Sequence, residues 1–434
     1  MMQPSEAPAA HPTLPDFKPE TIRGTAGYFR VGQTRAGQWW FIDPRDEGFF
    51  SCGVNAVTRT GGTRTEGAEP ADAVATARVR LNAWRVNSLG VGAWADLCDR
   101  STADIALVEF AKVAPETLIK GPGARVPDVF APRWIEACDR AAAERCGPRA
   151  LSRDLIGYCT DDELGWAQPS HEGDAGGIGA IRAGWPTLLQ ICLSLEPSFP
   201  AYHAAWEFTL AAHGGELANL ARAWGAELPN KQTLRQLTMA EQGLVSAGYL
   251  RDQERFAREF ARRYFAVTAA AIRRHDPHHL VLGCRFAGGP GAAILAECAW
   301  PGVDVLSVNP GGESLWAGVE AVHGAQGMPV LVGEFGWTGE AFTGAARADE
   351  PRGQTTVERM LARGRAALER GFAHPALVGY AWPQWADRDG DRPPFGGGLV
   401  HVDDGEAREH TELLSDLNTR AAALRLAANV LAKP

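Results

Sequence analysis

The sequence predicts an α/β fold of the (β/α)₈ class, a TIM barrel with an N-terminal β-hairpin and a helical insertion after strand 4. Its 434 residues suit one barrel with insertions. Hydrophobic residues make up 45% of the chain and charged residues 22%, so a large core can be buried. Short apolar runs alternate with helical stretches, as in parallel α/β structure. No GxGxxG motif follows a strand, which argues against a doubly wound dinucleotide fold.

The N-terminal part divides into two predicted segments. Residues 1–23 are rich in proline and alanine and have no periodic pattern, which predicts a flexible arm. Residues 24–47 hold two alternating stretches separated by a turn, which predicts a β-hairpin that caps the N-terminal end of the barrel. The catalytic barrel is predicted to occupy residues 48–434.

Eight apolar runs of about five residues are predicted as the barrel strands, since parallel strands are buried on both faces. These runs are residues 49–54, 92–95, 105–110, 155–159, 280–284, 303–308, 329–333 and 376–382. Helices are predicted over residues 71–89 and 132–145, and several helical pieces form the insertion at about 166–236. That insertion follows strand 4 on the face that carries barrel active sites, so it is either a cleft wall or surface elaboration. Residues 402–433 predict a closing helix.

Charge and cysteine content exclude several function classes. The net charge of −9 argues against nucleic-acid and anionic-membrane partners. No apolar run reaches 18 residues, and the N-terminus has neither the basic nor the apolar region of a signal peptide. We therefore expect a cytoplasmic protein, although removal of a signal peptide would leave the same sequence. The eight cysteines have no CxxC or Cys/His spacing, which predicts reduced, buried thiols and no zinc site.

Two glutamates, Glu163 and Glu334, follow predicted strands four and seven directly. These strands face each other across a barrel, so both carboxyl groups can reach one substrate at its C-terminal mouth. Cleavage of a glycosidic bond needs such a pair, one carboxyl protonated and the other ionised. In the alternative interpretation each glutamate forms a structural salt bridge with an arginine such as Arg285.

Other polar and aromatic residues stand at or just after the predicted strands and are candidates for substrate binding. They are Asn55, Trp94, Asp162, Arg285, Asn309, Trp337, Trp382 and Gln384. The chain has 14 tryptophans, which either pack in the core or form flat platforms for sugar rings.

Two other function classes stay open. A non-catalytic carbohydrate-binding barrel would keep the tryptophans but would not require both glutamates. A barrel isomerase, aldolase or lyase would use a strand-end lysine or a metal, yet no predicted strand ends in lysine. His323 and His401 lack ligand spacing. The glycines at 396–398 follow two prolines and precede no helix start, which indicates a loop rather than a phosphate site.

Several motifs resemble those of known glycoside hydrolases. Asp-Asp-Glu-Leu-Gly-Trp at 161–166 and Gly-Glu-Phe-Gly-Trp at 333–337 resemble the clan A enzymes. Within that clan, four stretches resemble the β-agarase family, glycoside hydrolase family 50. These stretches are residues 39–44, 50–55, 127–130 and 275–286. The likeness extends from about residue 27 to 425.

The resemblance implies a retaining double displacement with Glu163 as acid/base and Glu334 as nucleophile. It implies carboxyl groups roughly 5–5.5 Å apart and no metal or organic cofactor. It also implies that Trp382 lies under the sugar beside the cleavage point. The expected partner is an oligosaccharide, and the expected activity is exo-cleavage of a β-linked, galactose-containing substrate.

Asp162 is the one departure from the motif. The clan usually has asparagine before the acid/base, where it binds the sugar 2-hydroxyl. An ionised aspartate can accept a hydrogen bond from that hydroxyl but cannot donate one. It would also add a negative charge beside Glu163. The substitution therefore argues against agarose itself as the substrate and leaves open a different sugar or a more acidic pH optimum.

Overall fold

The computed structural model describes residues 11–57, 70–94, 97–98, 102–167, 186–232, 246–287, 290–310, 315–388 and 390–431. The strands in these ranges are β1 (Arg30–Gln33), β2 (Trp39–Ile42), β3 (Gly48–Phe49), β4 (Ser51–Val54), β5 (Ser88–Leu89), β6 (Ala103–Val108), β7 (Leu118–Gly121), β8 (Ala124–Pro127), β9 (Leu155–Asp162), β10 (Gly165–Trp166), β11 (Leu280–Ala287), β12 (Leu306–Asn309), β13 (Val330–Val332), β14 (Leu377–Trp382), β15 (Gln384–Ala386) and β16 (Gly398–Val400). The α-helices are α1 (Pro70–Ala83), α2 (Pro132–Arg145), α3 (Leu188–Ser194), α4 (Pro200–Ala211), α5 (Leu217–Trp224), α6 (Ala247–His275), α7 (Ala292–Glu297), α8 (Leu315–Gln326), α9 (Glu340–Thr343), α10 (Thr356–Ala373) and α11 (Arg408–Leu431).

Eight of these strands form a closed parallel barrel in chain order, β4-β5-β6-β9-β11-β12-β13-β14, and β14 pairs with β4 to close it. This confirms the predicted (β/α)₈ class. Seven of the predicted strands overlap barrel strands. Their apolar side chains face both the lumen and the surrounding helices, which explains why continuous apolar runs marked them.

The prediction for the second barrel strand is wrong. Residues 92–95 were expected there, but the strand is β5, Ser88–Leu89. Ser88 breaks the apolar run, yet it is fully buried because its hydroxyl is hydrogen-bonded to the Ser51 hydroxyl at 2.6 Å. A buried hydrogen-bonded pair of serines has no signature in an apolar pattern.

The N-terminal hairpin closes the lower end of the barrel. β1 and β2 pair in antiparallel register, with Val31 opposite Phe41. Both side chains are 0% exposed, and they belong to one apolar cluster with the lumen-facing residues of the barrel, such as Ile156 and Leu282. The hairpin thus supplies apolar contacts that an open barrel end would lack.

Residues 11–23 differ from the predicted flexible arm. Phe17 is 1% exposed and belongs to the main core, and the segment bridges to the hairpin through Thr13–Glu47 and Arg23–Val31 pairs. Burial of Phe17 outweighs the local proline-rich composition from which the arm was predicted. Residues 1–10 lie outside the described residues.

Helix α11 contacts the N-terminal hairpin directly. Gln38 donates from Nε2 to the carbonyl of Arg425 on α11 at 2.7 Å. The fully buried guanidinium of Arg425 donates to the carbonyls of Trp39 and His374. Helix α11, which packs on α10, is therefore tied to the N-terminal hairpin.

The insertion after β9 contains α3, α4 and α5, which pack on each other and on α6. Residues 168–185 and 233–245 of this region lie outside the described residues. A small antiparallel sheet, β7-β8-β10, lies next to it and was not predicted. Strand β10 directly follows the predicted acid/base segment, so this sheet borders the mouth of the barrel.

None of the eight cysteines forms a disulfide, and all but Cys98 are buried. Among the described helices, none is both long and apolar enough to cross a bilayer.

We predict that Phe41→Ala lowers the free energy of unfolding by about 3–5 kcal/mol, because it removes a fully buried ring from the closed end of the barrel. Chemical denaturation followed by circular dichroism measures this change. Leu151→Ala is the control, since Leu151 is 77% exposed and its loss should cost less than about 0.5 kcal/mol. If both variants lose the same free energy of unfolding, the hairpin does not stabilise the closed end of the barrel in the way proposed.

Candidate active site

Strand β9 delivers Asp162 and Glu163 to the barrel mouth through a β-bulge. Its register with β11 places Gly283 opposite Cys159 and Arg285 opposite Asp162. Over this stretch β9 advances by three residues while β11 advances by two. Asp161 and Glu163 both adopt positive φ, 75° and 50°. A bulge of this kind turns the side chains that follow it. Beyond it the Glu163 N–H donates to the Arg285 carbonyl at 2.8 Å.

Arg285, at the end of β11, is the centre of the site. Its side chain is 1% exposed. Nη2 donates to Glu334 Oε1 at 2.8 Å and to the Gly333 carbonyl at 3.1 Å, and Nη1 lies 3.3 Å from Asp162 Oδ2. A buried guanidinium requires such partners, because an uncompensated buried charge is strongly destabilising. Arg285 thus bridges the carboxylates after β9 and β13.

Asn309, the last residue of β12, completes the connection. Its Nδ2 donates to Glu163 Oε1 at 3.0 Å and to Asp162 Oδ1 at 3.3 Å. Glu163, Asn309, Asp162, Arg285 and Glu334 therefore form one continuous set of hydrogen bonds and ion pairs. The structure brings together both predicted catalytic glutamates and three of the predicted binding residues.

Burial and charge act in opposite directions on two of these carboxyl groups. Burial raises the pKa of Glu334, the Arg285 charge lowers it, and the neighbouring Asp162 and Glu163 charges raise it. Burial also raises the pKa of Asp162, and Arg285 again opposes the shift. The guanidinium is therefore the group that favours the ionised form of both carboxyls.

Gly333 is required at the position before Glu334. A Cβ atom there would lie 2.5 Å from Asn309 Oδ1 and 2.7 Å from Arg285 Nε. The absence of a side chain at Gly333 leaves room for the asparagine and arginine side chains beside it. The Gly333 carbonyl also accepts from Asn55 Nδ2 at 2.8 Å, and Asn55 is 3% exposed.

The predicted roles of some binding residues need correction. Trp337 and Trp382 are both 0% exposed, so neither ring offers an open face to a sugar. Trp382 donates from Nε1 to the Gly397 carbonyl at 2.7 Å, and Trp337 donates from Nε1 to His410 Nδ1 at 2.9 Å. The two tryptophan rings pack edge to face with their centroids 4.7 Å apart. The segment after β15 and helix α11 cover them.

Asn55, Arg285 and Asn309 are also buried, at 3%, 1% and 7% exposure. They hold backbone or carboxylate groups of the site instead of presenting an open surface. Gln384 is half-buried and donates to Asp391 Oδ2 at 3.2 Å, and Trp94 is half-buried at the edge of the core. These two stay candidates for substrate contact.

Sequence reasoning missed three residues near the mouth. Glu109 follows β6 and pairs with Lys112, but the predicted third strand ran through it and so hid it. Phe395 is 44% exposed in the segment after β15, where only its exposure distinguishes it from a core aromatic. Asp161 is fully surrounded by protein, and its position depends on the bulge.

Within the described part of the chain, no group of three or more histidine, cysteine, aspartate or glutamate side chains is arranged to hold a metal ion.

The fold and the site define a class: a (β/α)₈ barrel with two strand-end glutamates linked through a buried arginine. No protein-family model matches the chain. It is similar to β-agarase A of Vibrio sp. (strain JT0107), with 22% identity over 450 residues that cover 86% of this chain and 43% of the relative. β-Agarase B of the same organism is also 22% identical, over 83% of this chain and 37% of the relative. The chain spans less than half the length of these curated relatives.

Solved structures share the fold. That of an exo-β-agarase superposes with a TM-score of 0.71 at 18% identity, covering 95% of this chain and 69% of the other. Since the identity is this low, the likeness establishes the barrel architecture. The homologues found by sequence are β-agarases, in line with the resemblance of the motifs.

We predict that Gly333→Ala destabilises the protein by about 1–3 kcal/mol, because the added methyl group forces Arg285 and Asn309 apart. Thermal denaturation measures the loss. Gly324→Ala is the matched control, since nothing lies within 4 Å of its added Cβ and the residue is in helix α8. That control should be neutral or slightly stabilising. A Gly333→Ala protein as stable as the control would show that the contacts around Arg285 relax freely.

Proposed function

We propose that this chain is a retaining β-glycoside hydrolase that cleaves β-linked, agarose-like oligosaccharides containing galactose, with exo action. The observation that carries the proposal is the continuous link from Glu163 through Asn309, Asp162 and Arg285 to Glu334. It holds two carboxyl groups from opposite sides of a barrel at one mouth, as double displacement at a single anomeric carbon requires.

Glu334 acts as the nucleophile. Its carboxylate accepts a charge-assisted hydrogen bond from Arg285 at 2.8 Å, and this contact favours the ionised form that attack requires. Attack forms a bond between a Glu334 oxygen and the anomeric carbon while the glycosidic C–O bond breaks. The Arg285 charge then stabilises the carboxylate again when the covalent intermediate is hydrolysed.

Glu163 acts as the acid/base. It is exposed at the mouth, and Asn309 holds one of its oxygens at 3.0 Å. In the first step Glu163 gives its proton to the departing glycosidic oxygen. In the second it takes a proton from the water that attacks the anomeric carbon, which restores both residues. We expect the two carboxyl groups to lie roughly 5–5.5 Å apart in the substrate complex.

Asp162 is an acceptor on the substrate side of this pair. Its side chain is 33% exposed, while Arg285 and Asn309 bind its two oxygens. An ionised carboxylate accepts hydrogen bonds only, so the substrate group next to it must be a donor such as a sugar hydroxyl.

The galactose-containing substrate is proposed because the relatives are β-agarases. Catalysis is favoured over simple carbohydrate binding because Trp337 and Trp382, the rings that a binding barrel would present, are fully buried while the carboxylates are accessible. A screen of aryl β-glycosides and agar-derived oligosaccharides, with the product anomer read by NMR, tests reaction, sugar and stereochemistry together. Inversion at the anomeric carbon, or no hydrolysis of any β-galactoside, would refute the proposal.

We predict that Glu334→Gln lowers kcat by more than about 10³-fold, because the nucleophile is lost. Its melting temperature should change little, since the amide oxygen still accepts from Arg285. The control is Glu340→Gln, an exposed glutamate at the start of α9 that should retain full activity. Turnover by Glu334→Gln close to that of the wild type would end the nucleophile assignment.

We predict that Glu163→Ala lowers kcat by roughly 10²- to 10⁴-fold on substrates with poor leaving groups, since these need the proton most. Activated aryl glycosides should lose much less in the first step, and azide should partly rescue turnover by replacing water. Steady-state kinetics over a series of leaving groups measures the pattern. The same loss for every leaving group would argue against an acid role.

A further inference from the structure

We propose that Asp161 is a positioning residue whose carboxyl group locks the β-bulge that presents Asp162 and Glu163 to the cleft. The inference rests on the proposed function insofar as Glu163 is the acid. It concerns a side chain that faces away from the cleft, toward helix α6 and the segment after β6.

The bulge is the geometric basis of this inference. From Cys159 to Asp162 strand β9 advances three residues while its partner β11 advances two. The extra residue requires a backbone turn, and Asp161 takes it with a φ of 75°. Aspartate adopts this left-handed conformation more readily than most residues, but it still costs energy that surrounding contacts must offset.

Two contacts hold the Asp161 carboxyl. Oδ1 accepts from the Ala111 N–H at 2.8 Å, and Oδ2 lies 2.7 Å from the hydroxyl oxygen of Tyr264. Asp161 is 2% exposed and Tyr264 is 0% exposed. The carboxyl therefore joins the bulge to the segment after β6 and to helix α6, which fixes the strand end from two sides.

The contacts of the Tyr264 hydroxyl indicate whether the Asp161 carboxyl is protonated or ionised. The Tyr264 hydroxyl oxygen lies 2.7 Å from Asp161 Oδ2 and 2.5 Å from the Thr160 carbonyl, but it has one hydrogen to donate. Both contacts are hydrogen bonds only when the protonated Asp161 donates to Tyr264 and Tyr264 donates to Thr160. The Ala111 N–H still binds the other carboxyl oxygen. The protonated acid thus satisfies every donor and acceptor named here.

The surroundings support this state. Burial raises the pKa of Asp161 to about 7. The hydrogen bonds that Tyr264 and the Ala111 N–H would donate to the ionised carboxylate oppose this shift, the Glu109 charge adds to it and the Lys112 charge opposes it. The thiols of Cys138 on α2 and Cys284 on β11 also face this group. Burial raises the pKa of both thiols, so they stay neutral where Asp161 titrates.

This raised pKa determines how the stability of the folded protein changes with pH. The folded protein holds the Asp161 proton up to about pH 7, whereas the unfolded chain releases it near pH 4, so folding is favoured less as pH rises between these values. Above pH 7 the carboxylate requires the Tyr264 hydrogen, and the Thr160 carbonyl loses its donor. The contacts that hold the β-bulge then weaken, and Glu163 is less well placed to deliver its proton.

Three variants test the lock. Asp161→Asn should mimic the protonated acid, because its amide donates to Tyr264 while its oxygen accepts from Ala111. Asp161→Gly removes the carboxyl but still allows the positive φ at this position. Tyr264→Phe removes the hydroxyl that links Asp161 to the Thr160 carbonyl. For each variant, kcat and KM are measured from pH 5 to pH 9 on a poor and an activated leaving group, together with the melting temperature.

We expect Asp161→Gly and Tyr264→Phe to lower kcat on the poor leaving group by roughly 10- to 100-fold. Their KM values should stay within about twofold, and the activated substrate should lose less, since it needs less help from the acid. Asp161→Asn should keep kcat within about threefold of the wild type at pH 6, and above pH 7 its kcat should decline less than that of the wild type. Equal losses on both leaving groups, or an unchanged decline in Asp161→Asn, would overturn the proposal.

Melting temperatures give a readout that does not depend on activity. Asp161→Asn should melt above the wild type at pH 8, with a smaller difference at pH 5. Asp128→Asn is the matched control, because both carboxyl oxygens of that buried aspartate accept from backbone N–H groups, Oδ1 from Phe130 and Oδ2 from Ala201, so an amide nitrogen there must face a donor. It should melt below the wild type at both pH values. If the wild type cleaves no glycoside, the proposed function fails, while Asp161→Asn melting below the wild type at pH 8 refutes the lock itself.

Discussion

The buried guanidinium of Arg285 is the constraint around which the barrel mouth is arranged. A charge that is 1% exposed must be matched within the protein, and the match comes from Glu334 and Asp162 on two different strands. The space for it comes from Gly333, whose missing side chain leaves room for the arginine. The requirements of one cation therefore place Glu334, which we propose as the nucleophile, close to Asp162. The same cation favours the ionised form of both of these carboxyl groups.

Much of the barrel was predictable because its strands are buried on both faces and so appear as apolar runs. The missed strand, Ser88–Leu89, depends on a hydrogen bond to Ser51, which lies 37 residues away in the sequence. The segment at 11–23 was predicted as an arm, although Phe17 reaches the core through contacts with residues that no local pattern reveals. Both errors concern stabilisation by residues far along the chain.

The catalytic candidates were predictable for a different reason. Glu163 and Glu334 follow their strands directly, and topology alone takes such residues to the same end of a barrel. The burial of Trp337 and Trp382 was not predictable, since it results from His410 on α11 and from Gly397, which cover the rings. The special position of Asp161 depends on a register shift between β9 and β11, and strand patterns do not record registers.

The contact between the N-terminal hairpin and helix α11 has a consequence for synthesis on the ribosome. The Gln38 amide donates to the Arg425 carbonyl, and the Arg425 guanidinium donates to the Trp39 carbonyl. These hydrogen bonds join residues that are about 386 positions apart in the sequence. The hairpin is synthesised before helix α11, so the Trp39 carbonyl and the Gln38 amide lack these partners until α11 has left the ribosome. Until β14 and α11 have been synthesised, a nascent chain therefore carries an incomplete barrel floor, with apolar side chains such as Phe41 only partly covered. Slow elongation over the segment between β2 and α11 would prolong the interval in which these exposed apolar side chains can associate with other chains.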